Sequence, residues 1–181
     1  MPNHVENTLS ITGSVEEIDR FKKFARKGKE LLATDNFIPY PKIWKQMDKE
    51  HPNSDDKDYD HKLVAYKKKW GTDKDGYNSG GYEWCSSDQG WGTKWGMYNT
   101  VVIRDTHTKG RRYLIYEFCT AWSPALPVIK KMIEMFPKIV FALHYKERGM
   151  AYQGEYEGEG GQITREEDAD YQPSKSDEDD G

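Results

Sequence analysis

The sequence predicts an α+β fold: a split βαβ antiparallel sheet with two helices on one face, a charged insertion and an acidic disordered tail. Three observations predict it. Alternation of apolar and polar residues opens the chain and returns after residue 98. Two amphipathic stretches with helical spacing lie between the strand-like ones. The later strands come as hairpins, not singly between helices, which separates α+β from a parallel sheet.

Val5, Leu9 and Ile11 share one face of the opening stretch, the pattern of a half-buried strand, and Gly13 ends it. Ser14 followed by Glu17 is a capping-box pattern. Ile18, Phe21 and Phe24 then recur at helical spacing, and this helix is expected to end near Gly28. Asn36–Pro41 reads as a short second strand closed by two prolines. From about residue 45 to 80, Lys, Asp, Asn and Gly dominate, as in an insertion within a sheet-forming domain. Leu63, Tyr66 and Trp70 carry a helix over Tyr59–Trp70, with Lys67–Lys69 as a solvated face. Residues 72–81 are glycine-rich and expected to be mobile.

Asn99–Asp105 and Arg111–Cys119 read as two strands joined by a turn over Thr106–Gly110. Ser123 is placed as the N-cap of a second helix, with Pro124 in its first turn. Leu126, Ile129, Met132, Ile133 and Phe136 form the buried stripe, and Pro137 stops it. Ile139, Phe141, Leu143 and Tyr145 alternate in a further strand, Arg148-Gly149 turns it, and Met150, Tyr152 and Tyr156 alternate in the last one. After Gly158 the apolar content falls away. The domain is therefore drawn at residues 1–157, with 158–181 as an acidic disordered tail.

The chain of 181 residues suffices for one domain without staples. Its net charge of −4 divides unevenly: Glu155–Gly181 carries −9 and the rest +5. Such a tail reads first as a solubilising segment and second as a competitor for a basic face. No apolar run approaches the length of a membrane span. Met1-Pro2-Asn3-His4 lacks the basic and apolar regions of a secretory signal. Cys85 and Cys119 have no metal or redox spacing, and a reduced, cytoplasmic setting is expected.

Five of the seventeen residues from Tyr82 to Tyr98 are Trp or Tyr, and Gly90, Gly92 and Gly96 break any long helix there. Indoles in this density read first as a packed plug and second as a ligand-contacting surface. On the second reading Trp91, Trp95 and Trp122 stack on a ring and Lys94 supplies charge. Thr93 and Ser123 add polar contacts, and the helix opened by Ser123 would favour an anion. On the first, Trp95 and Trp122 pack together and Ser123 merely caps. There is no Walker-type loop, GxSxG, HExxH or CxxC. His4, His51, His61, His107 and His144 are scattered singly, so no metal and no cofactor is expected. A nucleophilic Cys85 or Cys119 would need Lys94 or His144 brought beside it.

Several segments resemble the YubB-type ferredoxin-like family of phage and plasmid proteins. They are Pro2–Asn7 with Leu9, Ile11 and Gly13; Phe37–Pro41; Trp84-Cys85 leading to Trp91–Trp95; Thr120–Pro124 with Pro127–Ile129; and Gly149–Gly154. The charged segment and the acidic tail depart from that pattern. The resemblance implies a ferredoxin-like domain encoded on a mobile genetic element, with no agreed catalytic motif.

The expected function is therefore a non-catalytic accessory protein that binds in the bacterial host cytoplasm and counters a host defence. Its partner would be a host protein met through the insertion and the tail. The alternative is a nucleotide or single-stranded nucleic-acid binder using the Trp-rich segment. An enzyme acting on a nucleotide through Lys94 or His144 is the third class.

Overall fold

The opening alternation becomes β1 (His4–Ser14), with Val5, Leu9 and Ile11 fully buried on one face. The computed structural model describes residues 3–72, 74, 76, 78 and 80–171. Ser14 caps α1 (Val15–Ala25), its hydroxyl accepting from the Glu17 N–H at 3.2 Å. Ile18 and Phe21 on α1 turn inward onto the sheet.

The strand expected at Asn36–Pro41 does not form. Thr34–Phe37 is instead a one-turn helix, α2. Two side chains account for it. The Asp35 carboxylate accepts from the Tyr40 N–H at 2.6 Å, and the Asn36 amide donates to the Phe24 carbonyl at 2.8 Å. An extended segment would break both bonds.

The insertion folds as α3 (Lys42–Glu50), which starts slightly before it, and α4 (Tyr59–Trp70), and a short α5 (Tyr82–Ser86) follows at the start of the Trp-rich run. The helix expected at Tyr59–Trp70 is therefore present. Glu50 ties the first two together, accepting from Lys69 at 2.5 Å and from the Trp70 indole at 2.9 Å. His51 lies edge-on to Tyr66, with ring centres 4.9 Å apart. Within the stretch expected to be mobile, residues 73, 75, 77 and 79 lie outside the described residues.

The expected hairpin is β2 (Tyr98–Thr108) and β3 (Arg111–Ala121). Its turn is only Lys109-Gly110, both at positive φ, because both strands run further than their apolar cores suggest. The second helix, α6, spans Leu126–Met135 and begins after Ala125, which contributes no side-chain cap. Ser123 is not its N-cap: that hydroxyl is committed to the Gly92 carbonyl at 2.5 Å. Then follow β4 (Val140–Glu147) and β5 (Tyr152–Glu159).

The disordered tail drawn from residue 158 does not hold up to residue 171. Gln162–Asp170 forms β6, paired antiparallel with β5 across the two-residue turn Gly160-Gly161. Both glycines have positive φ, as the tight turn requires. β6 is exposed throughout, so charge and backbone pairing hold it in place of apolar burial. Arg165 reaches Glu155, Glu157 and Glu167, and the Tyr145 hydroxyl donates to Asp168. Residues 172–181 of the expected tail lie outside the described residues.

The six strands form one sheet in the order β2-β3-β1-β4-β5-β6, every neighbour antiparallel. The first four with α1 and α6 make the split βαβ of a ferredoxin-like fold. β5 and β6 extend the sheet beyond β4. Residues of α1, α6 and the inner sheet face share one core, in which Phe21, Ile129, Met132 and Phe141 are fully buried.

An ion-pair cluster pins the far end of β2 to α1. Asp105 accepts from Arg112 at 2.5 Å and from Lys22 at 2.6 Å, and Arg112 also reaches Asp19. The Arg112 guanidinium, and then Lys22, hold the Asp105 carboxyl down at about 2 against partial burial. The sign follows from the lowered value. Asp105 stabilises the fold above the ordinary carboxylate range, and this is lost as pH falls from about 4 towards 2. Asp105→Asn is expected to flatten the fall in urea midpoint across that window, measured against the unmodified chain.

Candidate functional site

The Trp-rich run leaves α5 and threads between the insertion and the sheet. Its backbone is fixed first. Thr93 is fully buried, and its hydroxyl both donates to the Ala121 carbonyl at 2.9 Å and accepts from the Ala121 N–H at 3.0 Å. Gly92 sits at φ +71 with no room for a Cβ against the ring of Pro127 on α6. The Thr34 hydroxyl accepts from the Met97 N–H at 2.9 Å. The segment is thus riveted to β3, α6 and α2, and its rings project from a fixed rail.

Those rings wall a cleft. Trp91 is half-buried and donates its indole N–H to the Ile38 carbonyl at 2.8 Å. Tyr40, Trp84 and Trp91 pack on one another, with Tyr40 5.5 and 5.3 Å from the two indoles and the indoles 5.7 Å apart, centre to centre. Trp95 is 43% exposed and stands edge-on to Tyr98. The Lys94 ammonium lies 5.0 Å from the centre of the Tyr82 ring and 5.5 Å from Trp95. Among the described residues it has no carboxylate partner. Between this wall and the insertion lies a cavity of about 510 Å³, into which Tyr40, Asp48, Tyr82, Trp91, Lys94 and Trp95 open. Its size falls in the range of roughly 300–1,000 Å³ typical of small-ligand sites.

Two cleft groups carry specific chemistry. The Tyr40 hydroxyl donates to Asp48 Oδ2 at 2.8 Å, and burial with Asp48 pushes that phenol far above its ordinary value. The Cys85 thiol, at the floor, is pushed up to about 11 by burial and then by Asp48. At neutral pH it is a thiol, which is a poor nucleophile even though Lys94 opens into the same cavity.

The structure therefore divides the six candidates. Trp91, Lys94 and Trp95 line one cleft. Thr93 and Ser123 bond to main-chain carbonyls behind it. Trp122 lies apart from the cleft and does not pack on Trp95. It is 44% exposed with φ at +72, an uncommon conformation for a large side chain. Asn3 and Tyr152 hold its backbone: the Trp122 N–H donates to the Asn3 carbonyl at 3.0 Å and its carbonyl accepts from the Tyr152 hydroxyl at 2.8 Å. The anion site expected at the α6 N-terminus loses its cap, and Pro127 removes an N–H from the first turn.

Sequence reasoning missed Asp48 and Tyr40. Asp48 was hidden in the stretch read as a charged insertion and Tyr40 in the one read as a strand. The spacing of Ile43 and Met47 was the available sign of α3, the helix that carries Asp48.

Among the described residues no helix lines the cavity on the opposite face of the sheet. Glu117, Thr8, His144, Glu155 and Glu167 form one cross-strand row on that face, above this shallow cavity of about 650 Å³. His144 pairs with Glu155 at 3.2 Å. Cys119 also lines this face, but β1 separates its strand from that of His144. Two strand spacings, about 10 Å, lie between them, so no Cys–His dyad forms. Burial, and then Glu6, raise the Cys119 thiol as well. Among the described residues no group of three or more His, Cys, Asp or Glu is placed to hold a metal ion. Among the described residues no helix is long and apolar enough to cross a membrane.

Comparison with known proteins adds the following. Residues 90–181, from the Trp-rich rail through β6 and beyond, match the family model described as a ferredoxin-like domain in Api92-like protein. The crystal structure of a protein Api92 from Yersinia pseudotuberculosis superposes with a TM-score of 0.52 at 10% sequence identity. The alignment covers 96% of this chain and 99% of that one. At that identity the likeness shows the fold alone. No curated protein matches the sequence.

Proposed function

This chain belongs to the Api92-like family through its ferredoxin-like domain, and from that premise we propose that it acts by binding, with the aromatic cleft as its site for a small, planar, anionic ligand of the nucleotide class. The observation that carries this reading is Lys94. Its ammonium, with no carboxylate partner among the described residues, lines an aromatic-walled cavity beside rings on which a base would stack.

A mononucleotide fits better than a nucleic-acid strand. The open sheet face, along which a strand would lie, carries Glu6, Glu117, Glu155, Glu157 and Glu167 against Arg165 and Lys146, an acidic excess that disfavours phosphates. Binding without chemistry accords with the raised Cys85 and Cys119 thiols. The YubB-type resemblance supports the wider setting: an accessory protein of a phage or plasmid, working in the bacterial cytoplasm. Holding a host nucleotide out of solution is a way of countering a host defence that needs no turnover.

Titration with nucleoside 5′-monophosphates is expected to quench the tryptophan fluorescence. Lys94→Ala is expected to weaken monophosphates about tenfold, from loss of a charge-assisted contact, and to leave the matching nucleosides unchanged. Unaltered fluorescence across the whole nucleotide panel would favour the competing reading, a host protein met through the insertion or the acidic tail.

A further inference from the structure

We infer that the cleft selects guanine nucleotides, and that Asp48 is the residue that reads the base. The inference rests on the cleft being a nucleotide site and adds the rule by which it chooses among nucleotides.

Besides rings, two charged side chains face the cavity. Asp48 opens into it from α3, on the insertion, and Lys94 opens into it from the Trp-rich rail. Asp48 Oδ2 accepts from the Tyr40 hydroxyl. Oδ1 accepts no hydrogen bond among the described residues, and each carboxylate oxygen can accept two. Asp48 has no cationic partner among the described residues either. The cleft thus offers one ammonium and one under-used carboxylate across an aromatic wall.

A carboxylate is an acceptor only. It asks for two adjacent donors and rejects an edge where a ring lone pair faces it. Of the common bases, guanine alone presents two neighbouring donors on its pairing edge, N1–H and the N2 amine. Adenine sets its amine beside the N1 lone pair, and cytosine sets its amine beside the N3 lone pair. Uracil flanks its single N–H with two carbonyl oxygens. With the base stacked on the indoles, the carboxylate takes the pairing edge and Lys94 takes the phosphate. Asp48 is then a specificity residue and Tyr40 a positioning residue that aims it.

The test is a calorimetric and fluorescence titration of the full chain with GMP, IMP and AMP. GMP is expected to bind about tenfold more tightly than AMP, a usual margin for a well-made base contact. IMP, which keeps N1–H and lacks the amine, is expected between them. Asp48→Asn should bring GMP to the level of AMP while the circular dichroism spectrum and thermal midpoint stay those of the parent. Tyr40→Phe keeps the ring and removes the donor that aims Asp48, and should narrow the preference for GMP without abolishing it. Equal binding of GMP and AMP to the parent chain, or a preference that survives in Asp48→Asn, would overturn the base rule and leave the cleft standing. Absence of binding by all three would remove the cleft and the rule together.

Discussion

Replacing Phe21 with alanine will cost the fold about 3–5 kcal/mol, the usual range for emptying a large aromatic site in a core. Phe21 is fully buried on α1 and touches three other rings. Phe37 of α2 lies 6.0 Å away, Phe136 at the end of α6 5.2 Å, and Phe141 of β4 5.6 Å, the last two edge to face. One side chain therefore joins both sheet-backing helices, the one-turn helix below the cleft and a central strand. Its removal leaves a cavity whose lining comes from four elements, which cannot all collapse inward together. Against a total of roughly 5–15 kcal/mol for a domain, the variant will sit near the folding threshold. Urea unfolding reads this directly as a large drop in midpoint. Phe24→Ala is the control. Phe24 packs on the same Phe37 and Phe136 but is 37% exposed, so its loss should be clearly smaller. Equal losses in the two variants would show that the ring cluster does not centre on Phe21.

The elements that meet in this cluster were mostly legible in the sequence, because each follows a simple period. Val5, Leu9 and Ile11 repeat by two, and Ile18 and Phe21 repeat by three behind a Ser14 cap. Phe141, Leu143 and Tyr145 repeat by two again. Periodicity reports burial against one neighbour, and these strands and helices have one. It failed where a side chain rather than a face decides the backbone. Asp35 bends Asn36–Tyr40 into a turn, and Ser123 serves the Gly92 carbonyl in place of its own helix. It failed again at β6, whose charges looked like a solvated tail. The Gly160-Gly161 pair was a hairpin signal, but the pairing of Arg165 with three glutamates requires the register to be known first.

The cleft was legible only in its chemistry. The Trp-rich run was visibly either plug or surface, and the structure makes it both. Its glycines and Thr93 fasten the rail, while Trp91, Lys94 and Trp95 turn outward to the cavity. The opposite wall comes from the insertion, through Asp48 and the preceding Tyr40. No local pattern links residue 48 to residue 94. Only the fold of α3 against the rail does so.

Thr93→Val will test whether the rail is what holds the cleft open, and it carries the second largest effect expected. Valine keeps the shape and the branched Cβ of threonine and removes one oxygen. That oxygen is buried and serves both backbone groups of Ala121, the last residue of β3. Without it the Ala121 N–H loses its partner in a place that excludes water, at a cost of about 1–3 kcal/mol, and the carbonyl keeps only the long bond from the Lys94 N–H at 3.5 Å. The loss falls where the chain leaves the central sheet for α6, so it should reach beyond stability. Without the hydroxyl, the segment Trp91–Trp95 keeps its side-chain bonds to Ile38 and Ser123 and its backbone bonds to Cys85, Ser87 and Ala121, but loses its shortest tie to β3. Trp91 and Trp95 should then lose order, seen as a red-shifted emission maximum at temperatures where the far-ultraviolet dichroism is still native. Thr93→Ser, which retains the hydroxyl, should restore most of the midpoint and the emission. A Thr93→Val chain as stable as its parent, with unshifted emission, would mean that the indoles are held by their own packing on Tyr40 and not by this single hydroxyl.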